Sequence, residues 1–159
     1  MITLRPALAG DINTIAQIWH VAWHEAHAEI VSPELVKLRA FESFHPRIET
    51  DLSNITVGEL NGVLSGFVTV RGDELHQLFV AAEARGTGLA RALVQAAEEQ
   101  ISSAGHDRAW LDCAVGNDPA AGFYRSCGWE YVRTHLEQVE TQNGPFGVDC
   151  WVFEKALIA

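Results

Sequence analysis

The chain has 159 residues, 48% of them hydrophobic, which is enough for one full-sized core and predicts a single domain spanning residues 1–159. A formal net charge of −10, from 11 basic against 21 acidic side chains, excludes a general nucleic-acid binder, because phosphate contacts need a basic surface; the acidic balance favours a cationic partner. No apolar run approaches the roughly 18 uncharged residues of a membrane span, and the start "MITLRPALAGD" lacks the apolar core of a secretory signal, so a cytoplasmic protein is expected.

In chain order, "MITLRPA" reads as a short alternating strand, and Asp11 is placed to cap a helix whose Ile12, Ile15, Ala16, Trp19, Ala22 and Trp23 keep helical spacing. A second helix follows "VSPE", with Ser32 as cap, Pro33 at the first helical position, and Leu35, Leu38 and Phe41 or Glu42 one turn apart; it is expected to end near "FHP". "NITVGEL" and "VLSGFVTV" flank Asn61-Gly62 and predict an antiparallel hairpin. "ELHQLFV" continues the sheet, but Leu75, Leu78 and Val80 do not keep one two-residue phase, so a bulge near Gln77 is predicted.

A helix from Leu89 carries Leu93, Ala96, Ala97 and Ile101 on one face and stops at Gly105. "RAWLDCAV" is a buried strand, and residues 74–80 and 108–115 with the helix between them form a βαβ unit whose strands lie parallel. Asp118-Pro119 opens a short helix that Gly128 ends, and "WEYVRTHLEQV" with "GVDCWVFEKAL" closes the chain as an antiparallel pair. The three cysteines, Cys113, Cys127 and Cys150, fit neither a disulfide framework nor a CxxC zinc site and are expected reduced and packed.

Arg85 to Arg91 sets several backbone N–H groups at a helix start, with Gly86 and Gly88 removing side chains that would hold an anion away. The segment is either a phosphate cradle or a tight strand-to-helix turn that binds nothing. A Walker loop is excluded, since Gly88 is followed by Leu89 and Ala90 rather than lysine and a hydroxyl residue, and the dinucleotide fingerprint lacks its third glycine, Arg91 standing there instead.

"ARGTGLA" matches the signature Arg/Gln-x-x-Gly-x-Gly/Ala through Arg85, Gly88 and Ala90, and the chain resembles the GCN5-related N-acetyltransferases, the GNAT family. "ELHQLFV" is similar to the fourth strand of that family and "NDPAAGFYRSCGW" to its motif B, with Asn117, Tyr124 and Gly128 at the matching places. The order of elements is similar over nearly the whole chain. The resemblance implies an α/β domain with a mixed, centrally splayed β-sheet flanked by helices. It implies acetyl-CoA as cosubstrate, its pyrophosphate held by Arg85, Gly86, Thr87, Gly88, Leu89, Ala90 and Arg91, and no metal. The expected reaction is direct acetyl transfer in a ternary complex to a primary amine of a small molecule. The alternatives are a protein N-terminus or lysine as acceptor, or an acyl-CoA sensor without turnover. Homodimers are common in the family.

By the same resemblance, backbone groups of Leu78, Phe79 and Val80 face the pantetheine arm and the acetyl carbonyl across the splay. Tyr124 is the general acid for the departing sulfur, its ordinary pKa of about 10 lying near that of a thiol; the competing reading is a core tyrosine with its hydroxyl at the surface. Glu74 is the first choice of base, through ordered water, and His76 the second, against a glutamate that is only a solvated edge charge. Asn117 orients the cofactor arm or a water, or merely caps the turn before Pro119.

"HVAWHEAH" sets His20, His24 and His27 on one stripe of the first helix, one residue short of a zinc-protease motif, so exposed polar residues are expected rather than metal ligands. The family's acceptor groove is walled by the end of this helix, which makes Trp23, His24 and His27 candidate substrate contacts. Cys127 has no histidine beside it and is read as a packed residue.

Overall fold

The computed structural model describes residues 1–157. One seven-stranded sheet has the order β1-β2-β3-β4-β5-β7-β6, built from β1 (Ile2–Pro6), β2 (Ile55–Leu60), β3 (Val63–Arg71), β4 (Glu74–Val80), β5 (Arg108–Ala114), β6 (Glu130–Thr141) and β7 (Gly144–Ala156). All neighbours are antiparallel except β4 and β5, which the helix α4 (Leu89–Ser103) connects as a parallel pair. The last strand is inserted between β5 and β6, so the terminal hairpin extends the sheet by its second arm. No described helix is long and apolar enough to cross a membrane.

Each face of the sheet has its own core. On one side lie α4 and α5 (Asp118–Ser126), with Leu89, Leu93, Ala97, Ile101, Leu111 and Trp129 buried. Gly58 and Gly66 are cross-strand partners under α4; a Cβ on Gly58 would stand 2.6 Å from a Leu89 methyl, so their bareness lets the start of α4 settle onto the sheet. Gly105, at φ +98°, ends α4: its N–H donates to Ser102 and that of His106 to Ile101, which satisfies carbonyls the helix leaves open.

On the other side lie α1 (Ile12–His27), α2 (Pro33–Leu38) and α3 (Phe44–Asp51), and Trp19 packs at 5.0–6.0 Å against Phe44, Phe67 and Phe79. Asp11 stands at the start of α1 but its carboxylate accepts from the Leu8 N–H and binds Arg5, clamping the entry loop to β1 instead of capping α1.

The second helix corrects the sequence reading. It stops at Leu38, and α3 is a separate helix running through "FHP", with Pro46 in its first turn where no N–H is needed. The covering helices also leave His20, His24 and His27 half-buried, not exposed as expected. His20 packs edge-on to Phe41 and Phe44, and His24 Nε2 is 2.6 Å from the Arg39 carbonyl.

The bulge is present: Thr69 pairs with Gln77 and Val70 with Leu75, leaving His76 as the extra residue. This returns Leu75, Leu78 and Val80 to the α4 face and puts Phe79 against α1.

The fully buried Leu93 anchors α4 at the centre of the first core. Leu93→Ala is expected to lower unfolding stability by about 2–5 kcal/mol in denaturant titrations, while Leu8→Ala, at an exposed position, changes it by less than ~0.5 kcal/mol.

Candidate active site

Parallel β4 and β5 separate almost as soon as they meet. Glu74 and Trp110 are their one registered pair, held by the Trp110 N–H donating to the Asp73 carbonyl at 3.2 Å and its indole N–H to the Asp73 carboxylate at 2.9 Å. Beyond this hinge the facing edges are unpaired. The Ala81 N–H donates to Ser65, so by strand alternation Phe79 also turns its backbone to β3, and the N–H groups of Leu78 and Val80 face the gap. A cavity of about 330 Å³ opens at this splay and is bounded by α1, β4, β5, α5 and β6.

Tyr124 reaches the cavity from α5 and is 8% exposed. Its helix is fixed at both ends: Asn117 Oδ1 accepts from the Ala120 N–H at 3.3 Å, and the Trp129 and Gly128 N–H groups donate to the carbonyls of Tyr124 and Arg125. Trp129 and Phe153 hold the ring at 6.2 and 6.4 Å. Burial, and after it the neighbouring Cys113 and Cys127, raise the phenol well above its ordinary pKa, so it stays protonated at neutral pH. This corrects the premise of a match at ordinary pKa values: donation to a thiolate is matched here when the sulfur is desolvated in the same pocket, which raises a thiol for the same reason.

Glu74 and His76 both face the cavity, and Glu74 Oε2 lies 3.1 Å from His76 Nδ1. An ionised carboxylate only accepts, so Nδ1 carries the proton and a neutral ring keeps its lone pair on Nε2.

The glycine turn stands apart from that cavity, at the start of α4. Gly86 and Gly88 have φ of +76° and +89°, conformations that other residues adopt only with strain, and a Cβ on either would meet nearly open space. The glycines are therefore required by backbone shape. The first amides of α4 lack intrahelical partners, and among the described residues those of Gly86, Gly88, Ala90 and Arg91 have no backbone acceptor. Thr87 Oγ1 donates to Ala84 and weakly accepts from the Leu89 N–H at 3.4 Å. Arg85 is paired with Glu25 of α1, and Arg91 donates to Ser126 of α5 at 3.1 Å, so both basic chains tie the turn to its neighbours. Free amides at a helix start, followed by an unpaired strand edge leading to the cavity, fit an anionic head and an extended amide-bearing arm of the kind acetyl-CoA has.

Of the sequence candidates, Trp23, His27, Glu74, His76, Leu78, Phe79, Asn117 and Tyr124 line one cavity, while His24 and Val80 do not, and Phe79, its backbone turned to β3, is corrected as a backbone partner of the cofactor arm. His27 is held by the Trp23 carbonyl at 2.9 Å and stacks on the Trp23 ring, and burial lowers its pKa.

Two groups of cavity residues escaped the sequence reading. Arg39, Arg47, Arg71 and Asp51 form one wall. Arg71 binds Asp51 through two contacts of 2.7 and 3.1 Å, whereas Nε and Nη1 of Arg39 and Nη1 of Arg47 are buried without a partner among the described residues. Burial pushes the two guanidiniums down to about 10 and about 9, still cationic at neutral pH. Elsewhere in the lining stand Asp112 of β5 and Glu137 of β6; His135 Nε2 is 2.6 Å from Asp112, and all three could present a ligand atom within 4.8 Å of one another. The Asp112 carboxyl, then burial, raises the Glu137 pKa. Asp112 carried a signal, a charge inside an otherwise apolar strand; the arginines carried none, because their neighbours in space come from α1 and β6.

The profile of the acetyltransferase (GNAT) family matches residues 13–129. No curated protein matches the sequence. Among solved structures, a GCN5-related N-acetyltransferase from Rhodopseudomonas palustris superposes with a TM-score of 0.78 at 22% identity, over 97% of this chain and 94% of that one. The PaiA N-acetyltransferase of Thermoplasma acidophilum in complex with coenzyme A gives 0.69 at 18% identity, over 98% and 99% of the two chains. A ribosomal-protein-alanine N-acetyltransferase from Brucella melitensis gives 0.70 at 21%, over 97% and 99%. With the matched residues covering most of the sequence and running from α1 through motif B, the chain belongs to the acetyltransferase (GNAT) family.

Proposed function

We propose that the protein transfers acetyl from acetyl-CoA to the primary amine of a small molecule by direct attack, without an acetylated enzyme. The observation that carries this reading is the single-pair hinge between β4 and β5, which leaves the edge amide of Leu78, the Glu74–His76 pair and Tyr124 on one small cavity. The amides of the glycine turn hold the pyrophosphate, and the free edge of β4 binds the pantetheine arm.

The Glu74–His76 pair takes the proton of the incoming ammonium, directly or through water, because an amine of pKa about 10 is otherwise charged and unreactive. The free amine forms the new C–N bond at the thioester carbonyl while the N–H group of Leu78 stabilises charge on its oxygen, that of Val80, two residues along the edge, being left to the pantetheine arm. As the C–S bond breaks, Tyr124 gives its proton to the departing sulfur and regains one from the nitrogen, which sheds its second proton as it becomes the amide. The products are the N-acetylated amine and CoA. A cavity of about 330 Å³, at the small end of ligand sites, supports a small acceptor over a protein segment.

The reading is tested by calorimetric titration with acetyl-CoA followed by thiol release against amines, amino acids, aminoglycosides and peptides. Binding with release on small amines supports it; binding without release favours a sensor, and release on peptides alone favours a protein acceptor.

Tyr124→Phe is expected to reduce kcat by about 10²-fold or more with acetyl-CoA affinity little changed, measured by steady-state kinetics and calorimetry. An unaltered kcat removes Tyr124 as the acid. Gly88→Val, which imposes a branched side chain on a left-handed position, should weaken acetyl-CoA binding by at least about tenfold, equivalent to ~1.4 kcal/mol, and normal affinity would rule out the cradle.

A further inference from the structure

Three of the chain's eleven Lys and Arg residues, in a protein of net charge −10, converge on one wall of the cavity: Arg39 just after α2, Arg47 of α3 and Arg71 of β3. Arg71 is spoken for by Asp51. The remaining two are held by aromatic faces: the Arg47 guanidinium lies 4.2 Å from the Trp19 ring and that of Arg39 6.0 Å from the Trp23 ring. A guanidinium seated on a ring keeps its N–H edge for other partners. Those edges include Arg39 Nε and Nη1 and Arg47 Nη1, which are buried and unpartnered, and Arg39 is only 2% exposed. Glu140 of β6 acts on both electrostatically but forms an ion pair with neither among the described residues. Buried cationic donors without acceptors are costly unless something supplies the acceptors, and a planar or tetrahedral oxyanion suits two guanidinium forks.

We propose that the acceptor carries an anionic group, a carboxylate or a phosphorus oxyanion a few bonds from its amine, and that Arg39 and Arg47 bind it. The amine end then points to the carboxylates across the cavity, Glu74 among them, so the site is bipolar and selects a small amino-acid-like molecule. The proposal takes its amine from the acetyl-transfer reading; the anion site stands on the arginines alone. It reverses what bulk charge favours, since two unpaired guanidiniums repel a cationic acceptor such as a diamine.

The test uses the intact protein with Arg39→Met and Arg47→Met, against amino acids, aminoalkylphosphonates, the matching amino-acid carboxamides, and diamines of equal length. Expected for the parent protein is a kcat/KM at least about tenfold higher for the anionic amines than for carboxamides or diamines. In Arg47→Met the KM for anionic amines should rise at least about tenfold with kcat nearly constant, which brings the acid-to-carboxamide ratio toward one. The carboxylate and phosphonate arms show which anion is preferred. Acetyl-CoA affinity measured on each variant separates lost recognition from lost folding. If a variant fails to fold, the parent's substrate ratio and calorimetric binding of the same anionic amines decide the matter. Equal or better turnover of carboxamides or diamines overturns the proposal and leaves acetyl transfer standing. Arginine-dependent binding of anionic amines with no amine acetylated sinks acetyl transfer and leaves the anion site standing. Absence of both binding and turnover of anionic amines overturns the anion site.

Discussion

The separation of β4 from β5 after the single pair Glu74–Trp110 is the constraint on which the rest of the molecule depends. A parallel pair that remained zipped would consume its edge amides in a ladder and fill the gap with side chains. Asp73 pins the closed end by accepting from both the backbone and the indole of Trp110, while the bulge at His76 turns the strand away from regular pairing. Edge groups left open in this way are a liability unless a ligand or solvent meets them. Here they face a cavity, so the same defect in the sheet that costs ladder bonds creates the binding edge.

Charge inside the cavity is arranged against the charge of the whole. The chain is acidic as a whole, yet one part of the cavity wall holds guanidiniums that two tryptophans of α1 support, and another holds the carboxylates of Asp112 and Glu137. Leaving a buried hydrogen-bonding group unmade costs about 1–3 kcal/mol, and more when it is charged. Such a cost in a family enzyme is understandable when a substrate offsets it at the moment of binding. Tyr124 follows the same logic: the burial that makes it a weak acid would also desolvate a sulfur placed beside it, so the two pKa values would rise together.

Much of this architecture was legible in the residues. The broken phase of Leu75, Leu78 and Val80 marked the bulge, and the structure places it at His76, one residue from Gln77. Gly86 and Gly88 marked the turn, and Asn117 with Gly128 marked the ends of α5, because each signal is local: a backbone conformation or a cap involves residues only a few positions apart. The second helix was misread where two short helices meet, since Leu35, Leu38 and Phe41 keep helical spacing although Arg39 and Ala40 leave the helix. The histidine stripe was misread for a related reason: nothing in α1 reveals that α2 and α3 will cover it.

The sequence by itself therefore determined the strands, the helices other than the α2–α3 pair, their order, the glycine turn and the family pattern, all of which rest on short-range backbone preference and periodic burial. Only the tertiary structure decided where β7 enters the sheet, and that Arg39 and Arg47 stand unpaired among the described residues against Trp23 and Trp19. Those features depend on which atoms from distant segments come within a few ångströms, and on which polar groups are left without a partner once they do. Neither is set by a residue's neighbours along the chain.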